Sequence, residues 1–208
     1  VTPPRSSLCC HNSARAPGSA TKRVVFGYSS QAYALTDYSL EGVVTVEQWQ
    51  EAAAVPGIDS ASLAVNKTQN IMGLRLEVDQ ANLATTAGNY DAAHKNTALA
   101  GATLWSDASA SDPIANIETA KDAIRATIGR YPNTVVVGAQ VMKALRVHSK
   151  IIDRIKYTGR DVPTAELLAS LFGVQRVLVG GAVYTGATGA FVDAWGKNVV
   201  LAYTELGG

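Results

Sequence analysis

Asp112-Pro113-Ile114-Ala115-Asn116-Ile117-Glu118-Thr119-Ala120-Lys121-Asp122-Ala123-Ile124-Arg125-Ala126-Thr127-Ile128-Gly129 is the stretch on which the fold turns. Ile114, Ile117, Lys121, Ile124 and Ile128 recur at steps of three or four, which is one face of an α-helix. Asp112 is placed to cap the first turn, Pro113 suits the first helical position, and Gly129 can take the left-handed conformation that ends a helix. Burying each isoleucine is worth roughly 1.5–3 kcal/mol, so the face needs a partner. That partner follows at once. Tyr131-Pro132-Asn133 reads as a turn, and Thr134-Val135-Val136-Val137-Gly138 as a short buried strand, apolar and β-branched.

Working outward toward the C-terminus, a second helix is expected over 139–147, with Val141, Met142 and Leu145 inward. Ile151-Ile152-Asp153-Arg154-Ile155 forms another short element, and residues 164–173 a third helix stopped by Gly173. Val177-Leu178-Val179 and Val199-Val200-Leu201-Ala202-Tyr203 read as two more strands. Helices and strands mixed in one unit indicate an α/β or α+β fold.

Working outward toward the N-terminus, residues 91–111 are rich in Ala, Ser and Thr, anchored by Leu99, Leu104 and Trp105. Before them a long helix is expected from a cap at Asp59 or Ser60 to about Leu83, roughly 35 Å at 1.5 Å per residue. One stripe holds Ala61, Val65, Thr68, Met72, Leu76 and Leu83, interrupted by Asp79, and a second face holds Ala64, Ile71, Leu74 and Val78. Val46-Glu47-Gln48-Trp49 begins a shorter helical turn. Residues 23–46, with Val24, Val25, Phe26, Tyr28, Tyr33, Leu35, Tyr38, Leu40, Val43 and Val44, read as a ribbon of two long strands. Such a hairpin is marginal alone and needs something to lie on. Residues 1–22 show no period and read as a mobile arm.

Composition narrows the function. Charged residues are only 17% of the 208 residues, below the usual quarter, which is expected where surface is covered by other subunits. A net charge of +1 argues against a strongly basic nucleic-acid binder. Cys9 and Cys10 are adjacent and unsuited to a mutual disulfide; with His11 they match no usual zinc spacing. Asn66-Lys67-Thr68 is a glycosylation sequon by letters only. No run of apolar residues approaches a membrane span, and no apolar signal core opens the chain. The loop Gly180-Gly181-Ala182-Val183-Tyr184-Thr185-Gly186-Ala187-Thr188-Gly189 lacks dinucleotide and phosphate-loop spacing and reads as a flexible connection. His94 and His148 sit in no pattern that activates a nucleophile, although a triad can be assembled in space; His148 reads as a solvated or capping residue. Asp153, Arg154 and Lys156 read as a surface salt-bridge patch at a subunit contact. No catalytic, cofactor-binding or metal-binding residue is nominated, and no cofactor is expected.

The segments 112–117, 131–138, 151–158, 168–174 and 177–180, with Trp195-Gly196-Lys197 and Leu201-Ala202-Tyr203, resemble in order and spacing the axial domain of tailed-phage major capsid proteins with the Hong Kong 97-like fold. The likeness is close over the C-terminal half and architectural over the N-terminal half. It implies an α+β fold with an N-terminal arm (1–22), an extension loop (23–57), a peripheral-domain part with a spine helix (58–111) and an axial domain (112–208). It implies a non-enzymatic shell protein assembling as pentamers and hexamers of an icosahedral head. Its partners would be copies of itself, scaffold, portal and decoration proteins, and DNA contacted non-specifically, with no membrane. The head would form in a bacterial cytoplasm. Such chains usually run on into further strands, so a partial protein is expected. Some relatives cross-link a Lys to an Asn; Lys22 and Asn198 are not nominated for this. An encapsulin-like compartment shell and a small α/β enzyme are the alternatives.

Overall fold

The computed structural model describes residues 34–55, 57–95, 99–156 and 163–205, together with residues 17 and 23. The arm and residues 24–33 of the expected ribbon lie outside the described residues, apart from those two positions. Among the described residues, six α-helices and two small sheets make a mixed α+β architecture.

The decisive stretch folds as its pattern dictates. Helix α3 spans Pro113–Ile128; Asp112 accepts from the Ala115 amide at its start, and Gly129 closes it at φ 72°. That amide, and then the Lys150 ammonium, hold the Asp112 carboxyl below the usual range. Strand β1 (Thr134–Gly138) follows and is buried along most of its length, as a central strand should be. Helices α4 (Ala139–Val147), α5 (Ser149–Ile155) and α6 (Ala165–Phe172) carry the chain to β2 (Arg176–Gly180), which pairs parallel with β1. A parallel neighbour requires such a crossover. Strand β5 (Val199–Ala202) pairs antiparallel on the other side, giving the order β2-β1-β5. The core joins Ile117, Val135, Val137, Met142, Leu145, Ile151, Leu168, Ala169, Phe172 and Val177. Asn133 ties the strand ends together. Its carbonyl accepts from the Gln175 and Arg176 amides, its side-chain amide donates to the Thr204 carbonyl, and its Oδ1 accepts from the Thr204 amide.

Lys121 lies within the apolar face of α3 and is buried. Its ammonium donates to the Phe172 carbonyl at 2.7 Å and to Glu118 at 2.9 Å. A cation at the C-terminal end of α6 meets unpaired carbonyls and the negative end of the helix dipole. A helical periodicity cannot tell such a lysine from an error in the stripe; the packing of α6 against α3 can.

Three expectations are corrected. Residues 34–45 form no strand, so the described part of the ribbon is irregular chain rather than half of a hairpin. The glycine-rich segment is not merely a flexible connection: β3 (Val183–Thr185) pairs antiparallel with β4 (Phe191–Asp193) in a hairpin. Val183, Tyr184 and Thr185 are strand formers, and the glycines around them obscure the signal. His148 is neither solvated nor a side-chain cap; it is fully buried, 0% exposed, and makes no capping hydrogen bond. Ser111 Oγ donates to the Asp107 carbonyl, so His148 Nε2 carries the proton and donates to Ser111 Oγ at 2.9 Å. Its Nδ1 is then a bare acceptor, buried with no partner among the described residues.

Two glycines set how closely the sheet meets the segment after β4. A Cβ on Gly180 would collide with the indole ring of Trp195, and one on Gly138 with the Gly196 carbonyl. Backbone there cannot yield as the far end of a flexible side chain would. Gly180→Ala and Gly138→Ala are therefore expected to destabilise the fold by about 1–3 kcal/mol each, read from chemical denaturation midpoints; unchanged midpoints would show the packing to be looser than described.

The buried imidazole makes stability depend on pH. In the unfolded chain it titrates near ~6.5. Burial first, and then the Lys150 charge, hold it lower in the fold, opposed by Asp112 and Asp107. Its contribution is complete above the unfolded value and is lost as pH falls below it, because the unfolded chain takes up the proton first. Between pH 7 and 5 the melting temperature of the wild type is expected to fall more steeply than that of His148→Gln, measured by differential scanning fluorimetry. Parallel curves would remove His148 as the source.

Candidate assembly surface

The segment before the long helix holds Asp37, Glu41, Glu47 and Glu51 among many apolar residues, with no Lys or Arg from 34 to 59. Thr45 caps α1 (Val46–Ala53): its side chain accepts from the Gln48 amide while the Gln48 side chain accepts from the Thr45 amide. The cap fixes the start of an amphipathic helix that buries no residue. Val46 and Trp49 stand one turn apart, 68% and 55% exposed. Leu35, Tyr38, Leu40 and Val43 precede them, also exposed. An eight-residue helix is marginal by itself, so this one depends on contacts for its persistence.

Helix α2 (Ser60–Thr85) supports this segment. Asp59 caps it, accepting from the Ala61 and Ser62 amides; hydrogen bonding, above all from the Ser62 hydroxyl, holds the Asp59 carboxyl low. Tyr38 lies under the Arg75 guanidinium at 4.9 Å, and Gly42 comes so close to α2 that a Cβ would lie 2.6 Å from Thr68 Oγ1. Residues 34–45 thus run beside α2 at two points while their other side chains face water. Ala81 is the one buried residue of the long helix; of its two expected apolar faces, one is uncovered, with Val65, Met72, Leu76 and Leu83 exposed, and on the other Ala64, Leu74 and Val78 are half-buried while Ile71 is exposed. Covering each such side chain would contribute roughly 1.5–3 kcal/mol. Exposed apolar surface on this scale marks an interaction site.

Among the described residues one hydrogen bond joins α2 to the segment between β4 and β5 that packs on the sheet: the Trp195 indole N–H donates to Glu77 Oε1 at 3.0 Å. A separation of 118 positions leaves no trace of it in the sequence. A second tie uses His94. Asp91 can only accept, so His94 Nδ1 carries the proton; Nε2 lies 2.6 Å from the Thr127 hydroxyl of α3. This is the spatial Asp–His–hydroxyl line that sequence order leaves open. Thr127 sits within a helix and also lies 3.1 Å from the Ala123 carbonyl, and the line fastens the 91–94 turn to α3. Bonding to His94 holds the Asp91 carboxyl low.

No metal-holding group of three or more His, Cys, Asp or Glu occurs among the described residues. No described helix is long and apolar enough to cross a membrane. A shallow depression of about 400 Å³ lies between Gln140 and the β3–β4 hairpin, where Gln140 Nε2 donates to Asp193 at 2.6 Å. Phe191 stands on its rim, 81% exposed. The expected surface ion pair is present between Lys156 and Asp153 at 3.0 Å, while Ile151 and Ile155 turn inward. Asn198 donates to the Trp195 carbonyl, and Lys22 lies outside the described residues.

The family model described as phage major capsid protein E matches residues 68–205. A major capsid protein of Burkholderia phage BcepMu is 37% identical over 172 residues, covering 83% of this chain and 54% of that protein. A solved structure of a phage-related protein from Bordetella bronchiseptica RB50 is similar at a TM-score of 0.73 and 38% identity, over 93% of this chain and 62% of that one. The chain spans about half the length of the curated relative it matches.

Proposed function

The chain belongs to the phage major capsid protein E family, and from that premise we propose that it builds the wall of an icosahedral phage head by self-association into pentamers and hexamers. Its role is structural and non-enzymatic. Residues 112–208 form the axial domain, which closes rings about the symmetry axes, and residues 58–111 the peripheral-domain part with α2 as its spine, in a Hong Kong 97-like arrangement. The arm (1–22) and extension loop (23–57) tie one copy to the next. Scaffold, portal and decoration proteins and non-specifically contacted DNA are the further partners, in a head assembled in the bacterial cytoplasm. Family membership favours this reading over a cargo compartment or a small enzyme.

The observation that carries it is the uncovered apolar surface of residues 34–53 and α2. Ordering such a segment costs roughly 1–2 kcal/mol per residue in backbone entropy, which contacts with a neighbour must offset. Head-to-tail contacts of this kind are heterologous and close by rotation.

Deleting residues 1–45 is expected to leave a folded α/β unit, with its far-ultraviolet and near-ultraviolet circular dichroism retained, and to abolish shells. Size-exclusion chromatography and negative-stain imaging of the intact and deleted chains read the outcome. Normal shells from the deletion would contradict the tying role.

A further inference from the structure

Charge is unevenly distributed along the chain. Five of its eighteen Lys and Arg residues, Lys143, Arg146, Lys150, Arg154 and Lys156, fall on α4 and α5 or at their ends, with Asp153 the one acid among them. Lys150 is paired with Asp112 and Lys156 with Asp153. Lys143, Arg146 and Arg154 make no ion pair among the described residues, and all three are exposed. The same two helices expose apolar surface at Val147, 67% exposed, and Ile152. On α1, Glu47 and Glu51 make no ion pair among the described residues, and Val46 and Trp49 stand uncovered beside them.

We propose that the acidic, apolar surface of α1 in one copy docks on the basic, apolar surface of α4 and α5 in a second copy. The proposal rests on the shell reading above and names the receiving surface. Each side carries both halves of a match, an exposed apolar centre and unpaired charge of opposite sign. Complementary rim charges set register and speed encounter, while the apolar centre supplies most of the adhesion. DNA would use the cations alone and would leave Val147, Ile152 and the whole of α1 unexplained. Because donor and receiver are different surfaces of one chain, each copy can give and receive, as a closing ring requires.

A charge exchange tests it on the full chain. Glu47→Lys with Glu51→Lys makes both surfaces positive; Lys143→Glu with Arg146→Glu makes both negative. All four positions are exposed, so circular dichroism and melting temperature are expected to stay near wild type. Sedimentation velocity at low salt is expected to show self-association weakened at least about tenfold in each double variant and regained in their equimolar mixture. Wild-type association by either variant alone, no recovery in the mixture, or a wild-type chain that stays monomeric throughout would overturn the contact. So would unaltered association accompanied by loss of retention on duplex DNA when Lys143 and Arg146 are reversed, which would make the patch a polyanion surface. Shells formed by both variants separately would refute this docking while leaving the shell reading standing; wild-type protein forming only a closed dimer would refute the shell reading itself.

Discussion

The seating of Trp195 holds the parts of this molecule in relation to one another. Its ring fills the space that Gly180 leaves open at the end of β2, and its indole N–H reaches Glu77 on α2. Gly138, at the end of β1, allows equally close approach of the Gly196 backbone. Two strands therefore end in glycine for one reason: the chain returning after the β3–β4 hairpin must lie directly on the sheet. The same indole then links the sheet to α2. A larger residue at either strand end would push the tryptophan away and weaken both relationships together.

Around that junction the molecule divides its interactions sharply. The sheet and its helices bury a core of Ile, Val, Leu, Met and Phe, and two polar side chains trapped with it find partners, the Lys121 ammonium at the end of α6 and His148 Nε2 on Ser111. Helices α1 and α2 do the reverse. They bury almost nothing and present Trp49, Val65, Ile71, Leu76 and Leu83 to solvent. One half is stabilised from within, and the other leaves its apolar side chains uncovered. Uncovered apolar surface of this extent is the mark of an interaction site, in keeping with the capsid protein family to which the chain belongs.

The buried histidine shows how local chemistry can be concealed. Beside Lys150 and Asp153, in the break between two helices, His148 has the sequence surroundings of a solvated residue. The chain instead turns the ring inward, where Ser111 accepts its proton-bearing nitrogen and the other nitrogen meets nothing. His94, by contrast, stays near the surface between Asp91 and Thr127 and acts as a tether. The identity of the residue did not distinguish the two; the packing around each did.

Periodicity by itself determined most of the regular structure. The isoleucine spacing, Asp112 and Gly129 specified α3; the valine run specified β1; Asp59 or Ser60 marked the start of α2; Gly173 marked the end of α6. These features depend on hydrogen bonds and side chains a few residues apart, so they are written locally. The three-residue strands β3 and β4 were hidden, because strand signals so short are lost among glycines. Tertiary structure alone decided the burial of Lys121 and His148, the meeting of Trp195 with Glu77, and the failure of residues 34–45 to form strands. Each depends on what lies opposite a side chain in space, across separations at which sequence spacing carries no information.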